Sequence, residues 1–239
     1  MFAGVLLGRL AATVFGGSCY VCRGAAARGS LICAACQRDL PELPPRHCPR
    51  CALPTTDAQT CGRCLADPPE FDSTVAAFAY AFPADVLLKA LKFRSELALA
   101  PYLAAQLAKR LAARLTGGVE RVPPVDLIVA VPLHPQRLAG RGYNQSVEIA
   151  RALSQSTGTP LATRGCTRLR DTPAQTELPL GARQHNMRGA FACSLELAGR
   201  RVALVDDVMT TGATLDALAG AVKRAGAVSV ENWVVARTL

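Results

Sequence analysis

Eight of the ten cysteines lie between positions 19 and 64, as four Cys-x-x-Cys pairs: Cys19/Cys22, Cys33/Cys36, Cys48/Cys51 and Cys61/Cys64. A two-residue gap makes a tight turn that aims both sulfurs at one point about 2.3 Å from a metal ion, and two such pairs complete a tetrahedron. Eight thiolates can therefore hold one or two structural Zn²⁺ ions. An iron–sulfur cluster, or a set of disulfides or redox thiols, is the competing use of the same residues. A closed four-sulfur site leaves no position for substrate, so zinc here is expected to be structural. The intervals between pairs are ten, eleven and nine residues, and they do not decide whether the pairs combine in sequence or interleave.

The second constellation runs from Arg201 to Thr214. It places an apolar strand, the acids Asp206 and Asp207, the loop Thr210-Thr211-Gly212-Ala213-Thr214 and a helix start in immediate succession. A strand ending in two acids carries them to the carboxyl edge of a parallel sheet, where α/β proteins bind ligands. Paired acceptors suit vicinal ribose hydroxyls, and their charge suits a sugar that develops oxocarbenium character as a leaving group departs. Backbone amides around Gly212, with a helix N-terminus behind them, form a cradle for a phosphate dianion. The bland alternative is a strand-to-helix turn with a capping Thr and solvated acids. The full order of residues favours the phosphosugar.

The elements that must position these residues follow from periodicity. Beyond Phe71 the sequence predicts strands over 73–82, 125–131, 201–205 and 228–235, and helices over 85–93, 97–115, 145–156 and 214–225. Alternating strands and helices imply parallel pairing through right-handed crossovers. Loops are expected at 118–124 and 171–191. The chain thus divides into a cysteine-rich module over residues 1–70, punctuated by seven prolines, and an α/β domain over residues 71–239.

Of 239 residues, 50% are hydrophobic and 19% charged, which excludes a disordered tail. The net charge is +9, and all but four of the 27 basic residues (Lys89, Lys92, Lys109, Lys223) are Arg. Forked guanidiniums suit phosphate on a sugar or on a nucleic acid; a GC-rich genome gives the same bias. Aromatics are only 5% of the chain, so stacking platforms for single strands are scarce. No apolar run reaches membrane-spanning length, because Arg9 interrupts the longest. The first eighteen residues lack the basic start and cleavage site of a signal peptide. Leu6, Leu7, Leu10 and Val14 mark one face of a short helix, which either docks on the protein or gives a peripheral foothold at the inner membrane. Paired thiolates without a signal point to the cytoplasm.

The segment Leu204 to Thr214 resembles the phosphoribosyl-pyrophosphate signature of type I phosphoribosyltransferases. Together with the cysteine pairs and Arg141-Gly142-Tyr143-Asn144-Gln145 it resembles the ComF family, over nearly the whole chain. The resemblance implies a type I phosphoribosyltransferase-like parallel sheet flanked by helices behind a zinc-ribbon module. It implies a pyrophosphate loop at Val131-Pro132-Leu133-His134, with Arg137 and Arg141 neutralising the diphosphate and Mg²⁺ bound with it. His134 is a poor general base. It also places Arg168, Thr172, Gln175, Leu178, Arg183 and Asn186 in a catalytic loop, and Lys89, Lys92 and Arg94 on a basic helix near the site, although a solvated face explains those three equally well. Two functions follow. One is Mg²⁺-dependent transfer of a phosphoribosyl group from phosphoribosyl pyrophosphate to a nitrogen nucleophile. The other is a binding protein of DNA uptake in natural transformation, with single-stranded DNA or a helicase as partner.

Overall fold

The computed structural model describes residues 17–116, 124–170 and 189–239. The start of the chain, including the amphipathic segment read above, lies outside them. So do Thr172, Gln175, Leu178, Arg183 and Asn186.

Among its described residues the cysteine-rich part is mostly turn and coil, with two five-residue helices, α1 (Ala34–Arg38) and α2 (Gly62–Ala66). Each opens directly after the first cysteine of a pair, Cys33 or Cys61, and carries the second one, so the helical turn itself sets the sulfur spacing.

The α/β part begins with β1 (Ser73–Ala79), α3 (Ala84–Phe93) and α4 (Leu99–Thr116). It continues through β2 (Leu127–Ala130), α5 (Pro135–Arg141), α6 (Gln145–Thr157) and β3 (Leu161–Ala162). A small antiparallel pair follows, β4 (Cys166–Arg168) with β5 (Phe191–Cys193). The chain closes with β6 (Arg201–Met209), α7 (Ala213–Arg224) and β7 (Ser229–Arg237). Strands β1, β7, β6, β2 and β3 lie side by side in that order, and every pairing is parallel.

Both faces of the sheet are covered, as the continuous apolar strands require. Ala203 and Val205 join the core beneath α3, α4 and α6, which the first cysteine group also caps through Cys19 and Cys36. Val202 and Leu204 join the core beneath α7, which the second group caps through Cys48, Cys51 and Cys64.

Strand order decides where a ligand can sit. From β2 the chain crosses through α6 to β3 on one side, whereas from β6 it crosses through α7 to β7 on the other. The two crossovers diverge between β2 and β6, and open α/β sheets bind ligands at such a switch point, outside the carboxyl ends of the strands.

Expected boundaries agree with the observed ones to within a few residues except in two strands. The first strand stops at Ala79, and β6 runs on to Met209. The extension arises because β7 keeps pairing with β6 as far as Met209↔Arg237, while β2 lets go after Ala130↔Val205. The acids therefore stand inside β6 and not after it, on a stretch whose β2 side is open.

Candidate functional site

The eight paired cysteines resolve into two groups, Cys19/Cys22/Cys33/Cys36 and Cys48/Cys51/Cys61/Cys64, each with its sulfurs within 4.8 Å of one another. Pairs therefore combine in sequence. A zinc–sulfur distance of about 2.3 Å implies an edge of roughly 3.8 Å in the sulfur tetrahedron. Cys22 Sγ lies 3.7 Å from Cys33 Sγ, and Cys51 Sγ 3.6 Å from Cys61 Sγ. Backbone N–H groups support the sulfurs: Val21 donates to Cys19 and Cys61 to Cys48, both at 3.4 Å. Burial pushes the Cys19 thiol up, but the amides of Cys22, Cys33 and Val21 outweigh it and bring it down to about 6. The donor set and its geometry fit structural zinc. Protein purified without chelators is expected to carry two zinc ions per chain by elemental analysis, and Cys33→Ser should lose one while keeping the other. A single ion in the unaltered protein would contradict this arrangement.

The loop after β2 and the loop after β6 face each other across the switch point. Val131 is buried, and its amide donates to Val205 O at 2.9 Å. Its carbonyl accepts from Asn144 Nδ2, also at 2.9 Å. Asn144 caps α6 by accepting from Ser146 N, and Ser146 Oγ donates to Asp206 Oδ1 at 2.8 Å. One short chain of hydrogen bonds thus joins Val131-Pro132-Leu133-His134 to the first acid. The Arg141–Gln145 stretch acquires a physical reason. Gly142, at φ 80°, ends α5 in the left-handed region that favours glycine; Tyr143 donates to Leu91 O; Gln145 accepts from Arg141.

Asp206 is 9% exposed and Asp207 4%. Asp206 Oδ1 also accepts from the Asp207 amide, and Asp207 Oδ1 from the Val208 amide. Asp207 Oδ2 is buried without a hydrogen-bond partner; Lys92 Nζ is 3.9 Å from it, beyond bonding distance. Of the basic residues on and after α3, Lys89 pairs with Asp85 instead. Arg94 is exposed at the end of α3. Burial, and next the charge of Asp207, push Asp206 up to about 7, against the pull of Ser146, the Asp207 amide and Lys92.

The folded protein holds this proton more tightly than the unfolded chain does, so the contribution of Asp206 to stability is largest below about pH 4 and falls as pH rises towards 7. Asp206→Asn keeps an acceptor for Ser146 and the amide and removes the buried charge. It is expected to stabilise the protein by on the order of 2–4 kcal/mol at about pH 8 and by little at about pH 4. Thermal unfolding at the two pH values checks this; parallel pH profiles for variant and parent would contradict it.

The loop Thr210 to Thr214 joins β6 to α7, with Gly212 capping the helix at φ 87°. A β-carbon there would meet the flexible end of Met209, which can move aside, so it is the positive φ that asks for glycine. Thr211 Oγ1 accepts from the Ala213 amide at 3.3 Å, while Asp206, Thr210, Gly212, Ala213 and Thr214 line one small concavity. Arg137 and Arg141 lie half-buried on α5, directly after the β2 loop. His134 caps α5 with its Nδ1 buried and unpartnered. Arg168 lies on β4 over the Phe191 ring at 5.5 Å and lines a cleft with Pro132 and Leu133 of the β2 loop.

Two contributors were not anticipated from the sequence. Ser146 carried no signal beyond its place after a capping Asn. Arg237, 1% exposed, donates through Nε to Cys51 O at 2.7 Å and through Nη1 to Met209 O, Thr210 O and Thr238 O. With Arg63 donating to Thr211 O at 2.9 Å, it ties the second cysteine group to the base of the glycine loop.

Residues 10–65 match the model of the double zinc ribbon domain. DNA utilization protein YhgH of Escherichia coli strain K12 is 38% identical over 227 residues, covering 93% of this chain and 98% of that one. Competence protein F of Haemophilus influenzae is 32% identical over 232 residues, covering 92% and 96%. The chain belongs to the ComF family. Its α/β part is a five-stranded parallel sheet flanked by helices, with the double zinc ribbon in front. Among solved structures, purine phosphoribosyltransferase from Pyrococcus horikoshii Ot3 is similar at 22% identity and a TM-score of 0.35, over 58% of this chain and 84% of that one. Among the described residues no helix of this ComF-family chain is long and apolar enough to cross a membrane.

Proposed function

We propose that this ComF-family protein binds phosphoribosyl pyrophosphate at the switch point and transfers the phosphoribosyl group to a nitrogen nucleophile in the service of DNA uptake. The observation that carries the reading is the pair of adjacent buried acids with one oxygen left without a hydrogen bond. A buried acceptor without a donor costs about 1–3 kcal/mol, and a ribose hydroxyl would satisfy it. In this reading the 5-phosphate sits on the amides and hydroxyls of Thr210, Thr211, Gly212, Ala213 and Thr214. Asp206 and Asp207 accept from the ribose hydroxyls, and the diphosphate meets Val131, Pro132, Leu133 and His134 with Arg137 and Arg141 close by. The diphosphate would arrive with Mg²⁺ held mainly by its own oxygens and water, and that ion would supply charge neutralisation beside Arg137 and Arg141. The bond from the sugar C1 to the diphosphate oxygen breaks, and the diphosphate leaves with the electron pair. The acceptor nitrogen then bonds to C1 and gives up a proton to solvent. The two carboxylates lower the energy of the cationic sugar between these events, so catalysis rests on positioning and charge. In this reading the chain has two units, residues 1–70 and 71–239, and the eight paired thiolates of the first favour a reducing cytoplasm.

A second reading keeps the fold and drops the turnover: a zinc-ribbon module that binds single-stranded DNA or a helicase. The charge of +9 and the names of the relatives, a DNA utilization protein and a competence protein, favour it. Thermal unfolding with Mg²⁺ and a panel of phosphoribosyl pyrophosphate, nucleotides and single-stranded DNA separates the two, since a bound ligand raises the midpoint according to its affinity. The first reading expects stabilisation by the phosphosugar, lost on changing Asp207. Stabilisation by DNA alone, steeply weakened by salt, would replace it with the second.

A further inference from the structure

Cys166 and Cys193 stand outside both zinc groups, and the phosphosugar site makes no use of them. In sequence they are 27 positions apart and look solitary. In the fold they are directly opposed partners of the β4–β5 pair, with their sulfurs 3.2 Å apart. The amide bonds Ser194 N to Gly165 O (2.7 Å) and Leu169 N to Ala190 O (2.8 Å) lie one residue before and three after Cys166 along the ladder. Antiparallel bonding alternates, so Cys166 and Cys193 occupy a non-hydrogen-bonded position, where Cα atoms approach to about 4.5 Å. Disulfides span Cα separations of roughly 4.4–6.8 Å with a bond near 2.05 Å. Closing the remaining gap needs side-chain rotation and no shift of backbone. Both residues are half-buried, and Cys166 lines a cleft with Pro132, Leu133, Arg164, Thr167 and Arg168. That opening gives a small reagent access to the pair from the side of the β2 loop.

We propose that Cys166 and Cys193 are a reversible dithiol–disulfide site, separate in chemistry from the eight zinc thiolates and independent of any phosphosugar. The co-reactant is a small-molecule disulfide of the glutathione class. The thiolate of one cysteine attacks a sulfur of that disulfide, breaks its S–S bond and releases one small thiolate. The other cysteine, deprotonated to solvent, attacks the mixed disulfide at the protein sulfur and releases the second. The protein loses two electrons and two protons, and the small disulfide becomes two thiols. Burial and the contact with Cys193 raise the Cys166 thiol above its ordinary value, so oxidation is slow at neutral pH and quickens in mild alkali. The product is a staple across β4 and β5, one wall of the cleft beside Pro132 and Leu133.

The test uses the zinc-loaded full chain, incubated with excess oxidised glutathione at mildly alkaline pH, alkylated, and digested with trypsin without reduction. Cleavage isolates Cys166 in the peptide 165–168 and Cys193 in the peptide 189–200, neither of which contains another cysteine. The expected result is a linked pair of these peptides, two hydrogens lighter than their sum, with zinc content unchanged and the link lost on adding dithiothreitol. Cys193→Ser should instead accumulate glutathione on Cys166. The proposal is overturned if both cysteines of the unaltered protein end as separate glutathione adducts. It is equally overturned if both remain alkylatable thiols after the zinc cysteines have been oxidised.

Discussion

Arg237→Met is expected to cost about 3–5 kcal/mol of stability, because four carbonyls lose a charged donor while the cost of burying that charge is relieved. The guanidinium serves four carbonyls at once: Cys51 from the second zinc group, Met209 and Thr210 from the end of β6, and Thr238 beyond β7. Methionine fills similar space but donates nothing. Each carbonyl left buried without a donor costs about 1–3 kcal/mol, in part recovered by relaxation. A chain of this size loses roughly 2–4 °C of midpoint per kcal/mol, so thermal unfolding should shift down by about 10 °C. Because the same nitrogens hold the first residues of the glycine loop, amide exchange across Thr210–Thr214 should quicken in the variant even where the rest of the sheet stays protected. A shift under about 2 °C would show that Arg237 is a passenger. The hold of the zinc ribbon on the loop would then rest on Arg63 and Thr211 O.

Asp207→Asn should separate stability from binding. The native carboxylate keeps Oδ1 on the Val208 amide and leaves Oδ2 without a hydrogen bond. Asparagine preserves the first contact and removes a buried charge, so the midpoint of unfolding should stay the same or rise. The same change takes from the ligand an anionic acceptor beside a half-buried lysine, 3.9 Å away. Losing one partner of a buried charged hydrogen bond in a complex costs about 2–5 kcal/mol, or roughly 30-fold to more than 1,000-fold in affinity at 1.4 kcal/mol per decade. Calorimetric titration with phosphoribosyl pyrophosphate and Mg²⁺ is the measurement. Unchanged affinity would remove Asp207 from the site; a large loss of stability would recast it as a structural acid.

The parts of this protein that were legible in its sequence are those where a short stretch fixes its own geometry. A two-residue gap between cysteines sets a sulfur spacing by itself, so the metal groups could be foreseen. How the pairs combine could not be, because intervals of ten, eleven and nine residues fit either pattern equally well. Apolar runs gave the central strands and helices, and the order of acids, threonines and glycine gave the corner between β6 and α7. Contacts that depend on distant partners were hidden. Arg237 lay beyond the expected end of the last strand at residue 235, and only the pairing of β7 with an extended β6 brings it under the loop. The β4–β5 pair escaped notice because each strand has three residues and 22 separate them, too little for a period to show. Helix α5, seven residues with none buried, has no apolar face to betray it.

A phosphorylated pentose in the corner between Asp206, Asp207 and the amides around Gly212 is the central claim. A crystal structure of the zinc-loaded protein grown with phosphoribosyl pyrophosphate and Mg²⁺ tests this most directly. The predicted result is density for the 5-phosphate within hydrogen-bond distance of the Thr211–Thr214 amides, with the ribose hydroxyls on the two carboxylates. Ligand density elsewhere, or a corner that stays closed at saturating ligand while the acids keep their present partners, would contradict it.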